Sequence, residues 1–100
     1  MAAVIRSFAD RGTEDVFDGI RSKAARATCP LALWPVARRK LTQINRVIEI
    51  WELAAPPGNR LERLHGDREG QHSIRINEQY RICFHWKAGY ADDVEITDYH

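Results

Sequence analysis

One hundred residues, 44% of them hydrophobic and 29% charged, describe one folded domain with a modest core and exclude a disordered chain. A net charge of +1 gives no bulk electrostatic case for nucleic-acid binding, and no apolar run reaches the roughly 18–20 residues a membrane span needs. The apolar stretch after Met1 is too short for a signal peptide, so the expected location is the cytoplasm, with Cys29 in a loop and Cys83 in a strand both as free thiols.

Val4 to Phe8 reads as a short strand. Thr13 is placed to cap a helix whose first turn holds Glu14 and Asp15 and whose apolar side is Val16, Phe17 and Ile20. This helix is expected to run into the basic stretch Arg21 to Arg26, with residues 27–34 as connector. Pro35 suits the first position of a second helix. Ala37, Leu41, Ile44, Ile48 and Trp51 recur at helical spacing along it, until Pro56-Pro57-Gly58-Asn59 stops it. Arg38, Arg39, Lys40 and Arg46 form its polar side, as a solvated face or as contacts to phosphate.

Beyond residue 60 the period changes to two. His72, Ile74 and Ile76 alternate with polar residues, as do Tyr80, Ile82, Phe84 and Trp86. Lys87-Ala88-Gly89 turns the chain into a last strand with Val94 and Ile96 inward. The expected fold is α+β, with two N-terminal helices packed on one face of a mostly antiparallel four- to five-stranded sheet whose other face is open. Matching the apolar sets pairs Ile76 with Tyr80, Ile74 with Ile82 and His72 with Phe84 across the loop Asn77-Glu78-Gln79. Arg75 then stands opposite Arg81 away from the core, where Glu95 or Asp93 neutralises the two cations or an anion such as phosphate is awaited.

The segment from Pro57-Gly58-Asn59-Arg60 through Leu64-His65-Gly66-Asp67-Arg68 to Ile74-Arg75-Ile76-Asn77 is distinctive. So are Gln79-Tyr80-Arg81-Ile82-Cys83-Phe84 and the terminal Asp98-Tyr99-His100. With Ile5-Arg6-Ser7-Phe8, these blocks resemble the HigB-type "plasmid maintenance system killer" toxins of the RelE/ParE superfamily. The likeness covers the first eight residues and nearly all of 36–100, and is weak across 21–35.

The resemblance implies a RelE-like microfold over residues 1–100. It implies a toxin that cuts mRNA in the A site of the 70S ribosome, without metal or other cofactor. It also implies a HigA-type helix-turn-helix antitoxin as partner, with operator DNA bound only through the toxin–antitoxin complex, and no membrane. Such cleavage needs a base for the ribose 2′-OH, an acid for the leaving 5′-oxygen and cations for the phosphorane-like charge. Arg81 matches an active-site arginine of the family; its fork suits a phosphate. His100 stands as general acid or proton shuttle, Tyr99 as a stacking or phosphate-binding phenol, and Asp98 as the group that orients a neighbouring imidazole or guanidinium.

The base falls to Glu62, where some relatives carry His, or to His65, where several carry Lys, or to neither. Arg68 and Arg75 are expected to grip the RNA backbone, and Arg38, Arg39, Lys40 and Arg46 to touch ribosomal RNA. His72 is expected on the core-facing side of its strand and His85 outward. A gyrase inhibitor of the ParE kind and an attenuated toxin kept for antitoxin binding and operon control are the competing readings.

Overall fold

The computed structural model describes residues 3–99. Three helices precede four strands: α1 (Arg11–Asp18), α2 (Lys23–Thr28), α3 (Trp34–Ile44), β1 (Glu62–Arg63), β2 (Gln71–Arg75), β3 (Tyr80–Lys87) and β4 (Tyr90–Asp98). The strands form one antiparallel sheet in the order β1-β2-β3-β4, and the helices cover one face of it. Leu41, Ile44, Ile74, Ile82, Phe84 and Val94 are fully buried between the two layers.

The first expected helix is two. Asp10, not Thr13, caps α1, its carboxylate accepting the Thr13 N–H at 2.6 Å. Thr13 lies inside the helix and its hydroxyl accepts the Ile96 N–H at 3.0 Å, tying α1 to β4. Gly19, at φ 75°, ends α1 in the left-handed conformation that glycine adopts without strain, so Ile20 is half exposed instead of continuing the apolar side. Ser22 then caps α2, accepting from the Ala25 N–H at 3.0 Å and donating to Asp15 at 2.6 Å. The helices touch so closely at Gly12 that a Cβ there would lie 1.8 Å from the Thr28 hydroxyl.

The apolar stripe of α3 also stops earlier than its spacing suggests. Ala37, Leu41 and Ile44 are buried, but Ile48 and Trp51 are 78% and 68% exposed. Asn45 ends the helix and turns to the N-terminal segment, accepting the Ile5 N–H on its side chain (2.9 Å) and the Val4 N–H on its carbonyl (3.3 Å). The chain leaves the helical path there, and Val47 and Leu53 fill the core in place of the two missing positions.

The segment expected as a first strand runs parallel to β4 only through isolated bridges, Ile5 to Ala91 and Phe8 to Val94. Between them Asp93 takes a positive φ of 52°, its N–H turned to the Ser7 hydroxyl at 2.8 Å, and the ladder is broken. Arg6 fastens the segment's edge with a bidentate pair to Asp92 (2.8 and 2.6 Å). Those hydrogen bonds hold the Asp92 carboxyl below the usual range.

The β2–β3 hairpin has the register read from the apolar sets: His72 with Phe84, Ile74 with Ile82 and Arg75 with Arg81, while the Ile76 N–H donates to Tyr80 at 2.9 Å. Asn77 closes the turn by accepting from the N–H groups of Gln79 and Tyr80. The second face of the sheet is not open where β2 and β3 cross it: Ser73 and Cys83 are fully buried and Arg81 is 8% exposed. Burial pushes the Cys83 thiol up, and it pushes Cys29, at the end of α2, to about 11, so neither thiol is poised to react. Among the described residues no helix is long and apolar enough to cross a membrane.

His72 faces the core as expected, its ring stacked on Phe84 at 6.4 Å, with Nδ1 buried and without a partner among the described residues. Burial, helped by the charge of Arg63, lowers its pKa from the ordinary 6.5. The fold therefore favours neutral imidazole. The stability this gives is complete above about pH 6.5 and is lost as the pH falls through the lowered value. His72→Gln is expected to flatten the fall of the melting temperature between about pH 6.5 and 5, measured against wild type in the same buffers.

Candidate active site

The sheet face turned away from the helices gathers charged groups around Arg81. Strand alternation sends Arg81 to that face with Ser73 and Cys83, and the two-residue strand β1 brings Glu62 opposite Ser73. Arg81 is fixed from several sides. Its Nε donates to the Ser73 hydroxyl and its Nη2 to the Arg60 carbonyl, both at 2.7 Å. Arg60 has a φ of 46°, a left-handed conformation uncommon for a residue other than glycine. Nη1 lies 3.8 Å from the Glu62 carboxylate, and the guanidinium carbon is 5.8 Å from the centre of the Tyr99 ring. Tyr99 is held by its N–H, which donates to Gln79 at 2.7 Å.

A second cation comes from the single helical turn Gly66–Arg68. Arg68 reaches over the sheet and donates through Nη1 to Gln71 at 3.0 Å and to Glu95 at 3.1 Å. Burial works against its charge, but the hydrogen bond and charge of Glu95 outweigh it and hold the guanidinium more firmly protonated than usual. Glu95 pairs across the strands with Cys83, and the thiol feels both Arg68 and Arg81. His85 continues the outward row, its Nε2 3.5 Å from the Gln71 amide nitrogen. The result is two anchored arginines, two carboxylates and a phenol on one surface. Its cations suit an anion with several oxygens, and Glu62, 54% exposed in its side chain, is the more open of the two carboxylates.

The other expected site residues lie elsewhere. His65 is 80% exposed in its side chain and faces Glu69 at 3.5 Å, without a contact to Arg81. Asp98, at the end of β4, accepts from the Gln79 side chain at 3.0 Å. Arg75 leans away from Arg81, donating to the Asn77 carbonyl at 3.0 Å and lying 3.8 Å from Glu78. The facing cations are thus separated by the direction of their side chains. Neither Glu95, which holds Arg68, nor the exposed Asp93 neutralises them. His100 lies outside the described residues.

Arg38, Arg39 and Arg46 line an open groove of about 510 Å3 along α3 and make none of the contacts that hold Arg81. Arg38 is tied there, its Nε donating to Phe17 at 3.1 Å. Lys40 is no surface cation. It is 5% exposed and its ammonium donates to the buried Asn59 side chain at 2.5 Å, so it cannot meet a phosphate. Burial, with Arg39 nearby, lowers its pKa. Among the described residues no cluster of His, Cys, Asp and Glu has the arrangement of a metal site.

Ser73 and the Arg60 carbonyl are absent from the residues the sequence points to, and Glu95 is expected there only as a counter-charge to Arg75 and Arg81, not as the partner of Arg68. The hairpin register contained a signal for the first of them, since pairing Ser73 with Cys83 sets it diagonally beside Arg81.

A family model described as "RelE-like toxin of type II toxin-antitoxin system HigB" matches residues 6–100. The chain is 45% identical over 53 residues to "Toxin HigB-1" of Vibrio cholerae, a stretch covering 53% of this chain and 56% of that protein. It is 38% identical over 58 residues to an uncharacterized protein of Haemophilus influenzae, covering 58% and 57%. The matched stretch thus spans just over half the length of these curated relatives. Among solved structures, the YoeB-YefM complex from Staphylococcus aureus shares the fold, with a TM-score of 0.56 over 96% of this chain and 97% of that one, at 14% identity.

Proposed function

The chain belongs to the HigB-like family of RelE-like toxins of type II toxin–antitoxin systems, and from that premise we propose that it is a ribosome-dependent mRNA endonuclease. The observation that carries the reading is the arrangement around Arg81: a guanidinium anchored on two sides, a second cation at Arg68, and the Glu62 carboxylate 3.8 Å from Arg81. In this reading Glu62 takes the proton of a ribose 2′-OH. The 2′-oxygen attacks the adjacent phosphorus, and the bond from phosphorus to the 5′-oxygen breaks. Arg81 and Arg68 neutralise the charge gathered on the phosphoryl oxygens, and the leaving 5′-oxygen takes its proton from His100. The products are a 2′,3′-cyclic phosphate and a 5′-hydroxyl, and no metal is required. Tyr99, 40% exposed and edging the site, stacks on a base of the message.

Position on the ribosome supplies what so small a site lacks, because an mRNA held in the A site presents its phosphate already oriented. A HigA-type antitoxin holds the protein inactive, and operator DNA is reached only through that complex, in the cytoplasm where the ribosomes are. Purified protein is expected to cut mRNA bound to programmed 70S ribosomes and to leave the same RNA intact without them. Cutting of naked RNA at the same rate removes the ribosome from the account; inhibition of gyrase with no cutting replaces it with the ParE-like reading.

Arg38, Arg39 and Arg46 act in this scheme on ribosomal RNA. Replacing all three by alanine is expected to weaken association with ribosomes and to flatten its salt dependence. The log–log slope should fall by about 2, at roughly 0.7–0.9 per phosphate contact. A titration at several salt concentrations measures it.

A further inference from the structure

Arginine can hold an oxyanion in two ways: side-on, through Nε and one terminal nitrogen, or end-on, through both terminal nitrogens. Arg6 shows the first in this protein, its Nε and Nη2 both donating to Asp92. In Arg81 the same side-on pair is already occupied, Nε by the hydroxyl of Ser73 and Nη2 by the carbonyl of Arg60, each at 2.7 Å. Of the five N–H groups of a guanidinium, three remain: one on Nη1 and one on Nη2 face forward together as the end-on edge, and the second on Nη1 points back along the Cδ side. Glu62 lies on the Nη1 side at 3.8 Å, close enough for charge attraction and too far for a hydrogen bond.

Both anchors are themselves rigid. Ser73 is fully buried in the middle of β2, its neighbours held in the ladder to β3. The Arg60 carbonyl is aimed by a backbone at φ 46°, and the adjoining Asn59 is fully buried, its side chain bound to Lys40, Gln43 and the Leu53 carbonyl. The Asn59 carbonyl in turn accepts the Arg75 N–H at 2.6 Å, fixing this turn against β2. A flexible side chain is thereby reduced to one pose, and the reduction is made before any ligand arrives.

We propose that Ser73, assisted by the Arg60 carbonyl, is a positioning residue that locks Arg81 so that only the end-on edge of its guanidinium meets the scissile phosphate, with Glu62 as the anion that edge faces at rest. This rests on the nuclease reading for its catalytic consequence, while the locked pose itself is a property of the free protein. Ser73 touches no substrate; it acts through Arg81. The end-on edge is shared between a carboxylate and the incoming phosphate, so the phosphate takes the place of Glu62 beside Nη1. That exchange leaves the carboxylate next to the reacting group.

The test has two arms. In the free protein, the Arg81 Nε–H is followed by nitrogen–proton NMR. It is expected to exchange with water at least about 10-fold more slowly than that of the exposed Arg11, and to lose this protection in Ser73→Ala. In the ribosome assay, Ser73→Ala is expected to lower kcat about 10- to 100-fold with KM for the ribosome–mRNA complex within about twofold, as a misaimed group does. The variant Ser73→Thr, which keeps the hydroxyl, restores most of the rate. Adding Ser73→Ala to Arg81→Ala causes no further loss, whereas a merely structural role for Ser73 gives the same loss in both backgrounds. Fast exchange of the Arg81 Nε–H in wild type overturns the proposal, as does Ser73→Ala cutting at the wild-type rate. Failure of wild type to cut any mRNA overturns the nuclease reading instead, and the exchange measurement still decides the pose.

Discussion

Arg81→Ala is expected to lower the rate of mRNA cutting by about 10³-fold. One preorganised donor at a developing oxyanion is worth roughly 10²–10³ in kcat, and Arg81 offers more than one donor together with a full charge. That charge is hardly screened, because the residue is 8% exposed and the cations and dipoles around it are fixed. Arg68, held by Glu95 and Gln71, remains in the variant and accounts for residual activity. Arg81→Lys keeps the charge but cannot reach Ser73, the Arg60 carbonyl and a phosphate together, so it is expected to fall between wild type and alanine. The substitution also leaves the buried Ser73 hydroxyl and the Arg60 carbonyl without a donor, costing roughly 1–3 kcal/mol of stability. Single-turnover cutting on programmed ribosomes, below the melting temperature of every variant, separates the two effects. Arg75→Ala is the control: Arg75 faces Asn77 and Glu78, and its loss is expected to change the rate little.

The second large effect concerns the base. Glu62→Gln is expected to reduce kcat by about 10²- to 10⁴-fold, the range for loss of a general base, while binding of the ribosome–mRNA complex is unchanged or tighter. Tighter binding follows because removing the negative charge 3.8 Å from Arg81 Nη1 frees that edge for phosphate. His65→Gln, at an exposed side chain facing Glu69, is expected to cut at nearly the wild-type rate. The pH dependence of kcat gives an independent reading: the acid limb that reports deprotonation of the base disappears in Glu62→Gln and persists in His65→Gln. The reverse pattern moves the base from Glu62 to His65.

Glu62 and His65 also show how far a sequence reaches. They lie three positions apart, and the sequence gives them equal standing. A strand only two residues long, with no alternation of its own to detect, turns Glu62 toward Arg81 and leaves His65 beyond the sheet. The β2–β3 hairpin, by contrast, was readable to the residue, because a slip of one position sends every apolar side chain to the wrong face. Helix ends were less so. The termination of α1 at Gly19 depends on a local conformation, and that of α3 at Asn45 on a partner 40 residues away, the Ile5 N–H.

Lys40 is the instructive error. In composition it matches Arg38 and Arg39, but it directly precedes the buried Leu41 and its ammonium is met by Asn59, 19 residues further on. Charge in a run of charges says nothing about which member is turned inward. Arg81 is found through its place in the hairpin and a family resemblance; the same register sets Ser73 diagonally beside it, whereas the Arg60 carbonyl that also holds it carries no signature in the sequence.

The most direct measurement is a transcriptome-wide map of RNA 5′ ends in cells briefly expressing the wild-type protein, with Arg81→Ala beside it. The account predicts new 5′-hydroxyl ends confined to translated reading frames and in a fixed phase to the codons. Those ends are absent from untranslated RNA and from cells making Arg81→Ala at the same level. Growth arrest by the wild type with no such ends, or the same ends produced by Arg81→Ala, contradicts it.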